Sequence, residues 1–122
     1  MAKTILTVDD SPSMRQMIRL TLTDAGYQVV EAGDGAQGLA AARQQAVDMI
    51  LTDLNMPVMD GVSLIRELRQ LGGYAGVPII MLTTESDADR KSAAKAAGAT
   101  GWITKPFQPE QLVSVTKKVL GS

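Results

Sequence analysis

Short apolar runs alternate along this chain with longer segments of helical periodicity. Strands that are covered on both faces of a sheet carry apolar side chains almost continuously, so such runs predict buried β-strands. Five strands are predicted, at Thr4–Val8, Gln28–Ala32, Val47–Thr52, Val77–Leu82 and Ala99–Thr104. In the segments between and after them, apolar residues recur three and four positions apart, which is typical of amphipathic helices.

Each of these segments predicts a helix. Ser11 and Pro12 favour the start of the first one, because serine can cap free amide groups and proline fits the first turn. The predicted helices run from Ser11 to about Gly26, from Gly35 to about Gln45, from Val62 to Leu71, from a cap at Ser86 or Asp87 to Gly98, and from Gln108 to Leu120. Gly38 lies inside the second helix, where glycine costs about 0.5–1 kcal/mol relative to alanine.

Strict alternation of strands and helices predicts the α/β class. We expect a doubly wound, five-stranded parallel sheet flanked by five helices, with right-handed crossovers. At 122 residues, the length favours a single domain over residues 1–122.

The composition excludes several classes of site. The 45% hydrophobic and 20% charged residues are typical of a soluble globular protein. No apolar run approaches the roughly 18 residues of a membrane span, and the N-terminus lacks a signal-peptide core, so we expect a cytoplasmic protein. The chain has no cysteine and no histidine, which excludes disulfides, thiolate metal sites and a histidine general base.

Charge is distributed unevenly along the chain. Residues 1–89 hold twelve acidic and six basic residues, a balance of −6, whereas residues 90–122 hold one acidic and six basic residues, a balance of +5. The basic residues of the second segment are Arg90, Lys91, Lys95, Lys105, Lys117 and Lys118. They indicate either solvated helix faces or a docking surface for an acidic partner. Nucleic acid is disfavoured because the basic residues are few and little aromatic surface accompanies them.

Polar residues follow four of the predicted strands where each one ends. They are Asp9 and Asp10, Asp53, Thr83 and Thr84, and Lys105. Because the carboxyl ends of parallel strands meet at one edge of a sheet, a ligand site is expected there. Three carboxylates are hard oxygen ligands that suit Mg²⁺, which would relieve their mutual repulsion.

Each of these residues also has a plainer interpretation when it is taken alone. Asp9, Asp10 and Asp53 can belong to solvated turns, Thr83 can be an ordinary strand-end hydroxyl, and Lys105 can be a surface lysine. Pro106 permits a cis peptide bond after Lys105, but the spacing does not decide between the two isomers.

The order and spacing of four motifs are highly specific. They are Val8-Asp9-Asp10-Ser11, Asp53-Leu54-Asn55-Met56-Pro57 with Asp60-Gly61 after it, Thr83-Thr84, and Lys105-Pro106-Phe107. In these motifs the whole chain resembles the receiver domain of two-component response regulators, in particular stand-alone chemotaxis regulators of the CheY type. The resemblance implies the flavodoxin-like strand order 2-1-3-4-5.

The resemblance also implies roles for the site residues. Asp53 is the expected phosphoacceptor, with Thr83 and Lys105 contacting the phosphoryl oxygens. Asp10, Asp53 and the main-chain carbonyl of Asn55 are the expected Mg²⁺ ligands, with Asp9 acting through bound water. The phosphoryl donor is a partner histidine kinase, and the protein is not expected to be an enzyme beyond its own phosphorylation and dephosphorylation.

The resemblance further implies a switch and an output surface. Thr83 and Trp102 are the expected switch residues, and Asn55 and Glu85 are expected to set the phosphoryl lifetime. Trp102 stands where related domains usually have Tyr or Phe, so either the indole turns inward on activation or it stays fixed in the strand. The expected surface for a downstream target protein, such as a flagellar motor switch, is here called the basic face and comprises Arg90, Lys91, Lys95, Trp102, Lys117 and Lys118. A monomer without nucleic-acid or membrane partners is expected.

Other functions are weighed against this one. A phosphorelay intermediate or a phosphate sink would use the same site. A Mg²⁺-dependent aspartate-based phosphohydrolase would share the Asp, Thr and Lys, but such enzymes carry a second acid two residues after the nucleophile on the first strand. Pro12 stands at that position after Asp10. A flavodoxin-like cofactor binder lacks support because no Ser/Thr/Gly-rich loop follows the first strand.

Overall fold

The computed structural model of the protein describes residues 2–54, 56, 58–84 and 88–121. Over these residues, strands and helices alternate in the predicted order. The strands are β1 (Thr4–Val8), β2 (Gln28–Ala32), β3 (Met49–Asp53), β4 (Ile79–Thr83) and β5 (Gly101–Thr104). The helices are α1 (Pro12–Asp24), α2 (Gly35–Gln44), α3 (Gly61–Gln70), α4 (Ala88–Ala97) and α5 (Pro109–Leu120). In this part of the chain, no helix is long and apolar enough to cross a membrane.

All strand pairs are parallel, and the order across the sheet is β2-β1-β3-β4-β5. This confirms the predicted fold class and strand order. Val8 pairs with both Ala32 and Thr52, and Thr83 pairs with Thr104, so the strands end nearly level. The residues that follow them therefore meet at the carboxyl edge of the sheet, where the strand order reverses between β1 and β3.

The core has one cluster on each face of the sheet. Leu6 packs with Ile50 and Leu64 beneath α2 and α3, whereas Ile5 packs with Ile18 and Leu112 beneath α1 and α5. Neighbouring residues of β1 point to opposite faces, as the pleat requires. Because both faces are covered, every residue of the central strands β1, β3 and β4 is buried, whereas the edge strands β2 and β5 are partly exposed.

Several predicted boundaries were wrong by one or two residues. β3 begins at Met49 rather than Val47, and β4 begins at Ile79 rather than Val77. Val47 is nevertheless buried, with 5% of its surface exposed, and Val77 donates its N–H to Tyr74 in a turn. An apolar residue that reaches the core from a loop cannot be distinguished by pattern from a strand residue.

Three other elements also begin at residues different from those predicted. β5 begins at Gly101 rather than Ala99, α5 begins at Pro109 with Gln108 as its N-cap, and α3 begins at Gly61 rather than Val62. The carboxylate of Asp60 accepts the N–H of Ser63 at 2.8 Å and so caps α3, a role that the sequence analysis missed. The predicted cap of α4 at Ser86 or Asp87 lies outside the described residues.

Gly38 has a packing reason inside α2. A Cβ at this position would lie 2.8 Å from Cγ2 of Val8, closer than side chains tolerate. The glycine therefore lets α2 approach β1, and this close contact offsets its poor helix propensity.

Candidate functional site

Three carboxylates meet at the carboxyl edge of the sheet. Asp9 and Asp10 follow β1, Asp53 ends β3, and each offers an oxygen within 4.8 Å of the oxygens of the other two. Asp9 and Asp53 are buried, whereas Asp10 is exposed. The sequence-predicted acidic residues thus form one cluster with access from solvent through Asp10.

Two hydrogen bonds hold Asp9, but one of its carboxylate oxygens has no hydrogen bond. Its Oδ1 accepts the N–H of Ser11 at 2.9 Å, and its own N–H donates to the carbonyl of Ala32 at 3.1 Å. Its Oδ2 is buried and, within the described part of the chain, has no hydrogen-bond partner. Burial raises the pKa of the Asp9 carboxyl, and the neighbouring carboxylates of Asp53 and Asp10 add to this. A buried carboxylate oxygen without a hydrogen bond costs free energy, and the Lys105 ammonium lies as far as 4.0 Å from it, so a divalent cation in the cluster fits it well.

Asp53 is fixed by the loop that follows it. Its Oδ1 accepts the N–H of Leu54 at 2.8 Å, and the N–H of Gly61 donates to the carbonyl of Leu54 at 3.1 Å. A Cβ at Gly61 would collide with the main-chain carbonyl oxygen of Asp53. Glycine is therefore required where α3 begins, because the helix starts directly against the end of β3.

Lys105 brings a positive charge to the same cluster. Its ammonium nitrogen lies 3.3 Å from Oδ1 of Asp53 and 4.0 Å from Oδ2 of Asp9. The peptide bond between Lys105 and Pro106 is cis, the isomer that sequence spacing left undecided. The main-chain N–H of Lys105 donates to the carbonyl of Thr83, which joins the ends of β4 and β5.

Thr83 ends β4 with a buried hydroxyl. Only 1% of the residue is exposed, and Oγ1 has no hydrogen-bond partner among residues that the structure describes. Buried hydroxyls normally have a hydrogen-bond partner, so this hydroxyl is available to an oxygen of a ligand bound at the carboxyl edge of the sheet. Thr84, the next residue, is exposed.

Two of the predicted site residues cannot be placed. Asn55, predicted as a metal ligand and lifetime residue, and Glu85, predicted as a lifetime residue, both lie outside the described residues.

Trp102 faces outward from the edge strand β5, with 46% of its surface exposed. The other residues of the basic face lie on α4 and α5, and all except Lys91 are exposed. Lys91 approaches the indole ring, whereas Lys117 lines a groove between α1 and α5 together with Leu20 and Asp24. The basic face therefore extends around the end of α5 toward α1.

Sequence reasoning missed Arg15, in the first turns of α1. A guanidinium nitrogen, Nη1, donates to the main-chain carbonyl of Asp9 at 2.6 Å. An arginine in an exposed helix turn indicates only a solvated face, so no sequence signal distinguished this contact.

The family model described as the response regulator receiver domain matches residues 5–117, which is nearly the whole chain. The chain belongs to the response regulator receiver domain family. This receiver domain is therefore a member of a family of phosphorylation-activated signalling modules, as the four motifs indicated.

Longer regulators are among its relatives. The phosphate regulon transcriptional regulatory protein PhoB of Pseudomonas aeruginosa is 41% identical over 118 residues, which is 97% of this chain and 52% of PhoB. The DNA-binding response regulator MtrA of Mycolicibacterium smegmatis is 39% identical over 114 residues, 93% of this chain and 49% of MtrA. The receiver domain thus spans about half the length of these curated relatives.

Solved structures of similar length also match it. The chemotaxis protein CheY4 of Vibrio cholerae is 47% identical with a TM-score of 0.94, and the alignment covers 98% of this chain and 100% of CheY4. The receiver domain of the sensor histidine kinase PA1611 from Pseudomonas aeruginosa is 34% identical with a TM-score of 0.92, and the alignment covers all of both chains. That structure has a magnesium ion coordinated in its active-site cleft.

Proposed function

We propose that this receiver domain accepts a phosphoryl group on Asp53 from the phosphohistidine of a partner histidine kinase and thereby changes its binding face. The observation that carries the proposal is the convergence on Asp53: the Lys105 ammonium lies 3.3 Å from its Oδ1, and oxygens of Asp9 and Asp10 lie within 4.8 Å of one of its own. Positive and negative charges around one buried carboxylate suit phosphoryl transfer, because this reaction is accelerated mainly by positioning and electrostatic stabilisation.

The proposed step is a displacement at phosphorus. The contacts from Leu54 and Lys105 both fall on Oδ1 of Asp53, so we assign the attack to Oδ2. A P–O bond forms to Oδ2 and the P–N bond of the phosphohistidine breaks. The electron pair of that bond stays on the imidazole nitrogen, which takes a proton from solvent, so no histidine is needed on this chain.

The acidic cluster is the proposed Mg²⁺ site. Asp10 and Asp53 would hold the ion with the carbonyl of residue 55, and Asp9 would act through bound water. When bound, Mg²⁺ supplies positive charge that offsets repulsion between the carboxylates and the phosphoryl oxygens. The buried Oδ2 of Asp9, which has no hydrogen bond in the described part of the chain, supports the site, and so does the magnesium ion in the similar PA1611 receiver domain.

Thr83 and Trp102 are the proposed switch. The unpartnered hydroxyl of Thr83 can donate to a phosphoryl oxygen on Asp53, and its movement would open space beside β5, where Trp102 lies. The output is binding through the basic face, whose positive charge suits an acidic surface of the target protein.

Chemotaxis is the proposed pathway, with a flagellar motor switch protein as the proposed target. The support is the match to CheY4, which is similar over its full length. The alternatives, a phosphorelay intermediate and a phosphate sink, would use the same site. The longer regulators PhoB and MtrA share the receiver domain and do not bear on the choice among these three roles. We propose a cytoplasmic, monomeric switch that catalyses no reaction on other substrates.

The phosphoacceptor is tested with acetyl phosphate and Mg²⁺. Intact-protein mass spectrometry should show one phosphoryl group on the wild type and none on Asp53→Asn. Asp60→Asn is the matched control, because Asp60 is a nearby carboxylate whose capping role asparagine can take over. Equal phosphorylation of Asp53→Asn and wild type would refute the assignment.

The metal site is tested by melting temperature. A ligand that binds only the folded state stabilises it in proportion to ln(1 + [L]/Kd), so millimolar Mg²⁺ should raise the melting temperature of the wild type. Asp10→Ala should weaken this response. A wild-type melting temperature that does not change across a wide Mg²⁺ titration would contradict the proposal.

The switch and the pathway have separate tests. Beryllofluoride with Mg²⁺ should change Trp102 emission in the wild type, and Thr83→Ala should remove most of that change. Identical emission in a sample shown to have bound the mimic would mean that Trp102 takes no part. Mimic-dependent binding to a motor switch protein supports chemotaxis, whereas efficient transfer to a histidine phosphotransfer protein without such binding supports the relay.

A further inference from the structure

We infer that Arg15 is a positioning residue of the metal site, where it fixes the peptide group between Asp9 and Asp10. The inference rests on the acidic cluster proposed above as the Mg²⁺ site. In the described contacts, Arg15 touches neither the carboxylate oxygens of Asp9 and Asp10 nor Asp53. It acts on the site by holding the main-chain carbonyl of Asp9.

The key contact is between a guanidinium and a main-chain carbonyl. Nη1 of Arg15 donates to the carbonyl oxygen of Asp9 at 2.6 Å. β2 ends at Ala32, which accepts the N–H of Asp9 at 3.1 Å, and the chain then turns at Gly33. Arg15 therefore supplies the donor for the Asp9 carbonyl at the point where the neighbouring strand no longer continues.

Arg15 is itself held from the opposite side. Its Nε lies 3.5 Å from Oε1 of Glu31, and the other oxygen of Glu31 lies 3.2 Å from Nε of Arg19. Glu31 belongs to β2 and pairs with Thr7 of β1. The guanidinium of Arg15 is thus braced between β2 and the end of β1, and 21% of its side chain is exposed.

This bracing affects Asp10 as well as Asp9. The carbonyl that Arg15 binds belongs to the peptide that joins the two residues, so its orientation sets the direction in which the chain enters Asp10. Among the residues that the structure describes, no hydrogen bond or ion pair holds the Asp10 carboxylate. The position of that ligand therefore depends on its backbone, which Arg15 restrains.

Charge and positioning predict opposite effects when Arg15 is neutralised. The positive charge of Arg15 repels Mg²⁺, so removing it should tighten Mg²⁺ binding if charge alone matters. Removing a brace should weaken it, because groups that orient metal ligands typically contribute about 10- to 100-fold in affinity. The sign of the change in Kd therefore separates the two roles.

The experiment is Mg²⁺ titration of the full chain by calorimetry. Arg15→Gln should raise the Kd for Mg²⁺ about tenfold, and Arg15→Lys should have a smaller effect because lysine keeps a donor for the carbonyl. Arg19→Gln is the matched control: it removes the same charge and shares the same glutamate, but in the described contacts it leaves the Asp9 carbonyl bonded. Its Kd should stay within about twofold of the wild type.

Stability and folding are controlled separately. Urea unfolding in EDTA gives the stability of each metal-free variant, and the Kd values are compared at temperatures where all variants are folded. If Arg15→Gln does not fold, Arg15→Lys replaces it, because it keeps the positive charge and loses only the planar guanidinium, so a raised Kd for Mg²⁺ then reports lost bracing and no change in Kd overturns the inference.

The outcomes are distinguishable. A Kd for Arg15→Gln equal to or lower than that of the wild type would overturn the inference and leave the metal site intact. Equal weakening in Arg15→Gln and Arg19→Gln would also overturn it, in favour of a general charge or folding effect. A wild type that binds no Mg²⁺ would overturn both the inference and the metal site of the proposed function.

Discussion

The ammonium nitrogen of Lys91 lies 5.3 Å from the centre of the Trp102 ring. This cation–π contact joins α4 to the edge strand β5 and covers one side of an indole that is 46% exposed. Such a contact at a surface contributes about 0.5–1 kcal/mol. The ring is therefore held outward by an interaction weak enough for the proposed switch to break.

Lys91→Ala should expose the indole further. The expected result is stronger quenching of Trp102 fluorescence by acrylamide, an uncharged quencher that does not respond to the loss of a positive charge. Lys95→Ala is the control, since Lys95 is exposed on the same helix and has no described contact with the ring. Equal quenching in the two variants would mean that Lys91 does not shield Trp102.

Asp9→Asn should stabilise the metal-free protein at neutral pH. Burial raises the pKa of the Asp9 carboxyl from 3.8, so the folded state binds this proton more tightly than the unfolded state. The corresponding stability is present below pH 3.8 and is lost as the pH rises through the raised folded-state pKa. Asparagine keeps an acceptor for the Ser11 N–H and carries no charge at any pH.

The measurement is urea unfolding in EDTA across pH. The gain of Asp9→Asn over the wild type should be largest at neutral pH, should shrink as the pH falls through the raised folded-state pKa, and should level off below pH 3.8. A constant difference across this range would show that Asp9 ionisation does not cause it. Added Mg²⁺ should stabilise the wild type more than the variant.

The fold and the site differ in how far the sequence predicts them. Parallel strands end at one edge, so the motifs alone indicated that Asp9, Asp53 and Lys105 would meet. Arg15 was not predicted because it binds the main-chain carbonyl of Asp9, a group that every residue carries and that no sequence pattern marks. The Lys105–Pro106 isomer was not predicted because both isomers are compatible with the same order and spacing of residues in the sequence.

Val58 carries backbone strain at the tip of the loop between β3 and α3. Its φ is +70°, in the left-handed region, and 82% of the residue is exposed. This conformation costs an ordinary residue about 1–2 kcal/mol, whereas asparagine tolerates it better. Val58→Asn should therefore raise the free energy of unfolding by about 1 kcal/mol.

Val58→Thr separates strain from polarity. Threonine is polar but β-branched like valine, so the strain remains and no gain in urea stability is expected. If threonine stabilises the protein as much as asparagine, removal of an exposed apolar group explains the effect and the backbone does not.

Arg69 links two loops at the amino edge of the sheet, opposite the acidic cluster. Its Nη1 donates to the carbonyls of Tyr74 and Val77, each at 2.7 Å, and its Nε and Nη2 donate to the carbonyl of Gly98 at 2.9 and 2.7 Å. Burial lowers the pKa of the guanidinium, and no carboxylate in the described part of the chain pairs with it. Main-chain carbonyls, with the Thr100 hydroxyl at 3.4 Å from Nη2, therefore compensate for its partial desolvation.

Arg69→Gln should destabilise the fold by about 3 kcal/mol, because hydrogen bonds to a charged group contribute about 1.5–3 kcal/mol and partly buried carbonyls lose their donor. Urea unfolding measures the loss, and Arg66→Gln on the exposed side of α3 should change stability by no more than about 0.5 kcal/mol. Because the network lies at the opposite edge from Asp53, folded Arg69→Gln should still react with acetyl phosphate at close to the wild-type rate. A loss below about 1 kcal/mol would mean that water replaces the guanidinium at these carbonyls without much cost.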